Sequence, residues 1–164
     1  MALCLVKHPI EIRRKIVVNK NLTVKAVTSI AATKNKVWEA LITPSAIKEY
    51  MFGTDVKTDW KKGGKISWKG EFKGKKYTDK GEILNIEPEQ TLQYSHISPL
   101  SGKPDQPENY HTVTINLIGS GNKTEVELSQ DNNADEKSRE ESAKNWAAML
   151  EGLKKYVEKS SSAS

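Results

Sequence analysis

Three histidines and one cysteine, His8, His96, His111 and Cys4, are the side chains in this sequence best suited to chemistry near neutral pH. Cys4 and His8 stand four apart, but no second nearby pair completes a ligand set, so no metal site is expected. There is no Gly-x-Ser-x-Gly elbow, phosphate-cradling glycine loop or dinucleotide fingerprint, and Gly119-Ser120-Gly121 reads as a turn. No cofactor is implied and no catalytic residue is assigned, which favours binding over catalysis. His96 shares the parity of Leu92 and Tyr94, and His111 that of Val113, Ile115 and Leu117. Two readings of His96 stand: a polar group inside a pocket, where it holds a ligand or acts as a base, or a partly buried strand-end histidine with its hydrogen bond satisfied. Two histidines close together would matter more than either alone.

The elements that position these residues follow from periodicity. Leu22, Val24, Ala26, Thr28 and Ile30 alternate with Thr23, Lys25, Val27 and Ser29, which predicts a first strand. Thr33 caps a helix carrying Val37, Trp38, Ala40 and Leu41, and Thr43-Pro44 starts a second. After a polar stretch from Gly53 to Lys62, a meander begins at Lys65 with Ile66 and Trp68 on one face. Its turns fall at Phe72-Lys73-Gly74-Lys75, Glu87-Pro88-Glu89-Gln90 and Ser120-Gly121-Asn122, and its last strand carries Val126 and Leu128. Ile97 to Asn109, with Pro99, Pro104 and Pro107, reads as a loop, either a gate or a plain surface connection.

Beyond Asp131 the period becomes 3.6, with Asn133 and Glu136 in capping-box spacing. The helix predicted from Ala134 to Glu158 is roughly 37 Å long. Its apolar stripe is Ala143, Trp146, Met149, Leu150, Leu153 and Val157. With Trp146 at the centre of that stripe, Trp146→Ala should cost about 3–5 kcal/mol. The order is β-α-α-β6-α, an α+β fold in which a curved antiparallel sheet wraps around one long C-terminal helix. Residues 1–20 form an unassigned arm, 21–159 the domain and 160–164 a disordered tail.

A length of 164 residues with 36% hydrophobic and 29% charged side chains suits one soluble domain. No apolar run is long enough to span a membrane, and no secretory pattern precedes Arg13, Arg14 and Lys15. A cytoplasmic setting follows, in agreement with a single cysteine. The net charge of +5 is concentrated locally. Lys61, Lys62, Lys65, Lys69, Lys73, Lys75, Lys76 and Lys80 stand against only Glu71 and Asp79 between positions 61 and 80. This is read as a solvated sheet face ahead of a weak anionic-partner patch. Tyr50, Met51, Phe52, Trp60 and Trp68 are read as core. Ile66 and Trp68 fall opposite Lys65, Ser67 and Lys69, so no nucleic-acid platform is expected.

Several blocks resemble the heat-shock protein 90 ATPase activator homologue-like family of the START and Bet v allergen-like (SRPBCC) helix-grip superfamily. They are Val37-Trp38-Glu39-Ala40-Leu41 with Thr43-Pro44, Gly63-Gly64, Gly81-Glu82-Ile83 with Glu87-Pro88, and Asn145-Trp146-Ala147-Ala148-Met149-Leu150-Glu151-Gly152-Leu153-Lys154-Lys155-Tyr156. The resemblance covers about residues 21–159, and the last block is its most specific part. It implies a deep pocket between sheet and helix. In eukaryotic activators a separate N-terminal domain binds the chaperone; with no counterpart here, no stimulation of that ATPase by this chain alone is expected.

The expected function is non-catalytic binding of a small, largely apolar, stress-related molecule. Its site would be Tyr50, Phe52, Trp68, Leu92, Tyr94, His96, His111, Val113, Ile115, Trp146, Met149, Leu150 and Leu153. A chaperone-associated interaction module and a cyclase- or hydrolase-type cavity enzyme are the alternatives. An apolar patch outside the pocket would favour the first of these, and two convergent polar groups with perturbed ionisation inside it the second.

Overall fold

The computed structural model describes residues 22–162; Cys4, His8 and the arm expected at 1–20 lie outside them. Strand β1 (Leu22–Ile30) buries Val24 and Ile30 with the predicted alternation. Helix α1 (Lys34–Ile42) is capped by the Thr33 hydroxyl, which accepts from Lys36 N, and α2 (Pro44–Tyr50) starts on its proline. Then come β2 (Asp55–Thr58), β3 (Lys65–Phe72), β4 (Lys75–Glu87), β5 (Thr91–His96), β6 (His111–Ser120), β7 (Lys123–Asn133) and helix α3 (Glu136–Ser162). The short β2 lies inside the stretch read as polar, because only Val56 of its four residues is buried and so small a signal shows no period.

All seven strands form one antiparallel sheet in the order β1-β7-β6-β5-β4-β3-β2. The β3–β4 hairpin turns on Lys73 and Gly74, both with positive φ, as a two-residue connection matched to the sheet twist requires. Among the described residues no helix is long and apolar enough to cross a membrane. The eight lysines of the 61–80 region are exposed.

Helix α3 starts two residues later than expected. The cap is Asp135, whose carboxylate accepts from Ser138 N at 2.8 Å, and not Asn133. Asn133 is instead buried: its amide donates to the Leu22 and Gln130 carbonyls, and its oxygen accepts from the Ser142 hydroxyl. One side chain thereby joins β1, β7 and α3. The helix also runs on through Ser162, so Ser160 to Ser162, expected in the tail, are helical.

Met149, Leu150, Leu153 and Val157 are the buried part of its stripe. They rest chiefly over β1, with α1 and α2 on the helix's other flank. Gly152 makes this possible, since a Cβ there would stand 3.0 Å from the Tyr50 carbonyl oxygen. Lys154 Nζ donates to Ser29 O, and Glu158 accepts from Ala31 N, tying the last turns to the end of β1. Trp146 is only half-buried, its indole N–H donating to Gln130 at the rim. The centre of the grip is therefore Leu150 and Leu153, both essentially inaccessible to water. Leu153→Ala is expected to cost about 2–5 kcal/mol and Trp146→Ala less. Urea denaturation of both variants checks the order; a larger loss for Trp146→Ala would mean that the rim carries the grip.

Candidate functional site

The concave face of the sheet divides into an apolar floor and a polar end. Over the floor, Trp38 and Leu41 of α1, Ile47 and Tyr50 of α2, and Met149 of α3 meet Ile66, Trp68, Leu92, Tyr94 and Ile115. The space left among them is about 30 Å³, room for a single water. Tyr50, Trp68, Leu92, Tyr94, Ile115 and Met149 of the expected site line it. Burial pushes the Tyr50 and Tyr94 phenols far above the ordinary tyrosine range. Val113, Leu150 and Leu153 are fully packed core. Val113 sits between Tyr94 and Gln130 in register, so a larger side chain there would overpack the core. Phe52 does not join the site: it lies in the turn after α2 with positive φ and is 76% exposed. The deep apolar pocket expected from the strand and helix faces is thus mostly filled, because α1 and α2 cover the part of the sheet that α3 leaves bare.

At the other end of the groove the structure brings His96 and His111 together. They are directly opposed in the β5–β6 register, with ring centroids 6.3 Å apart. His96 stands edge-on to Trp68 at 5.1 Å, and its Nε2 donates to Asp79 Oδ2 at 2.8 Å. Asp79 accepts only, so Nε2 carries the proton. The pair is sheltered, with side chains 24% and 14% exposed for His96 and Asp79, and Asp79 Oδ1 is buried without a hydrogen-bond partner among the described residues. Gly81 allows the approach of β5: a Cβ on it would stand 1.7 Å from the Ser95 carbonyl oxygen. His111 Nδ1 donates to the Asp131 carbonyl at 2.9 Å, leaving Nε2 as the acceptor. Burial, ahead of the opposing hydrogen bond to Asp131, holds its pKa below the ordinary histidine value.

A pocket of about 280 Å³ opens over these rings. Its walls are Ile97, Ser98, Ser101, Lys103 and Asn109 from the β5–β6 connection, Asn133 at the end of β7 with Ala134 after it, and Ser138, Glu141, Ser142 and Asn145 on α3. The connection is held by many bonds. Ile97 pairs with Lys80, Tyr110 OH donates to Asp105, Asn109 donates to Pro104 O, and Asn132 donates to the Glu108 and Tyr110 carbonyls. Lys80 donates to Asp105, which holds the Asp105 carboxyl below and the lysine above their ordinary ranges. Among the described residues no cluster of His, Cys, Asp or Glu could hold a metal ion.

Sequence reasoning found both histidines by parity but missed Asp79, Asn133, Ser142 and the rest of the wall. For Asp79 a signal existed: it shares the parity of Gly81 and Ile83 in β4 and pairs with Trp68, so a carboxylate falls on an inward face.

A family model described as Activator of Hsp90 ATPase homolog 1-like protein matches residues 31–158. The solution structure of ChR145 from Cytophaga hutchinsonii is 57% identical, with 86% of this chain and 97% of that one covered and a TM-score of 0.74. CalU16 from Micromonospora echinospora is 23% identical, covers 84% of this chain and 76% of its own, and has a TM-score of 0.65. The Aha1 dimer from Colwellia psychrerythraea is 21% identical over 84% of this chain and 96% of that one, at a TM-score of 0.66. These last two show a shared fold. No curated protein matches the chain.

Folding holds the pKa of His111 below its ordinary value, whereas the unfolded chain takes up a proton near the reference value of 6.5. As pH falls below that value the unfolded state binds more protons, and stability falls. His111→Gln, which cannot titrate, should therefore lose less stability than the wild type between about pH 7 and about pH 5. Urea midpoints across that range test this; parallel curves for the two proteins would contradict it.

Proposed function

The chain belongs to the activator of Hsp90 ATPase homolog 1-like family, and from that premise we propose that it binds a small molecule at the polar end of the groove. The polar part of the ligand meets His96 and His111, and its apolar part lies against Ile97 and Ala134. The observation that carries this reading is the pocket of about 280 Å³ over two sheltered histidines, one of them bonded to Asp79, whose other oxygen is buried without a partner. Convergent polar groups in a concave pocket fix the orientation of a small ligand, and here the two histidines are joined by serines, asparagines, Lys103 and Glu141. The filled floor supports a ligand seated at the end of the groove and not along its whole length.

The exposed large apolar residues lend less support to a chaperone-docking face. Val27, Phe52, Leu100 and Ile118 lie on four different segments, and Glu125 and Glu127 of β7 stand between Val27 and Ile118 in register. A cytoplasmic place of action is supported by the single cysteine, and a stress-related role by the family's name alone.

The fluorescent amine N-phenyl-1-naphthylamine should bind the folded protein, with affinity on the order of micromolar. Ser138→Trp, which fills the pocket from the first turns of α3, should weaken binding at least about tenfold with the unfolding midpoint unchanged. Equal binding by both proteins would place the probe elsewhere and remove the reading.

A further inference from the structure

The geometry points to an activity at this end of the groove beyond binding: transfer of a proton within a small carbonyl compound, with His96 as the base and Asp79 as its positioning residue. The inference rests on the ligand reading above, since the compound must enter the same pocket.

His96 engages Asp79 through Nε2, and its Nδ1 has no hydrogen-bond partner among the described residues, which leaves that atom to act on a bound compound. A carboxylate behind an imidazole fixes the tautomer and stabilises the imidazolium that forms when the ring takes a proton. Here the carboxylate is buried, so that stabilisation acts at low dielectric. His111 presents a second neutral imidazole from the next strand, its tautomer set by the Asp131 carbonyl.

Part of the donor set near the pocket is already used. Asn133 gives both its N–H groups to Leu22 O and Gln130 O, Trp146 gives its indole N–H to Gln130, and Asn109 donates to Pro104 O. What the pocket adds is two bases on adjacent strands and, at its wall, the Lys103 ammonium to meet negative charge on a carbonyl oxygen. They suit a reaction in which a proton leaves carbon and returns elsewhere on the same molecule. His96 Nδ1 removes a proton from the carbon beside the carbonyl, and the C–H electron pair becomes the enolate C=C as the carbonyl pair moves to oxygen. The imidazolium then returns that proton to the oxygen or to a conjugated carbon. Nothing is oxidised or reduced, and no co-reactant is consumed. Ile97 and Ala134 at the pocket wall give the body of such a compound its apolar contacts.

The test uses 5-nitrobenzisoxazole, a flat carbon acid that reports a base without the natural substrate. Loss of its ring C–H proton to the base forms the nitrile as the N–O bond breaks, releasing a coloured cyanonitrophenolate. The full chain should open the ring, with saturation, at least about 100-fold faster than the same concentration of free imidazole. His96→Gln should return the rate to the imidazole background. Asp79→Asn, which keeps an acceptor for Nε2–H, should lower kcat about tenfold and leave KM within about twofold, a split that loss of structure would not give. Binding is followed separately by the His96 and His111 ring proton resonances. Ring shifts on adding the probe, with no acceleration or with acceleration that survives both substitutions, would overturn proton transfer and leave the ligand reading standing. No ring shifts and no acceleration would overturn both. If His96→Gln does not fold, the Asp79→Asn split decides alone.

Discussion

A seven-stranded sheet has an apolar concave face far wider than one helix, and that face has to be covered. Helix α3 covers the β1 side, where Leu150, Leu153 and Val157 are excluded from water. The rest falls to α1 and α2, whose Trp38, Leu41, Ile47 and Tyr50 reach the same core. Three helices over one face leave almost no space at the floor, and the groove stays open at the end beside the first turns of α3, where neither α1 nor α2 lines it. Position and chemistry of the pocket both follow from that coverage: the uncovered end is the end where β5 finishes and β6 begins, and the residues at those strand ends are histidines.

Polar groups at the edge of an apolar floor must find partners, and the partners found here also hold the fold together. Asn132 has positive φ next to the buried Asn133, whose bonds to Leu22, Gln130 and Ser142 tie β1 and β7 to the start of α3. Trp146 closes the same corner through Gln130. On the far side of the pocket, Asp131 is bonded twice from β6, its carbonyl accepting from His111 and its carboxylate from Thr112 N. A corner so thoroughly bonded gives the histidines fixed orientations, which a site acting on one class of small molecule needs. The unpaired oxygen of Asp79 is the exception, and it lies behind the ring that faces the pocket.

The basic stretch belongs to a different surface. Lys57, Lys65 and Lys80 surround a broad hollow of about 820 Å³ with Glu82, Asp105 and Tyr110, on a side of the sheet where charges are exposed and partly cross-paired. Its lysines keep the sheet face hydrated, and the acidic residues among them dilute the attraction for an anion. The lysines of this hollow stand apart from the pocket over the histidines, whose wall carries Lys103.

The sequence by itself determined which side of each strand faces inward and which side of the last helix faces the sheet, because alternation by two and by 3.6 is local and needs no partner to be read. It placed His96 and His111 on inward faces for that reason, and the resemblance of its blocks indicated the family. Parity says nothing about distance across a sheet or about how full the space above it is. The depth of the groove was decided by which helix lies over which strand, so that the expected apolar cavity shrank to about 30 Å³. Asp79 reaches His96 from a strand that pairs with β5 only after a long hairpin has closed, and Asn133 became a buried junction instead of a helix cap once β7, β1 and α3 met around it. Those are contacts between residues far apart in the chain, and only the assembled sheet brings them within the length of a hydrogen bond.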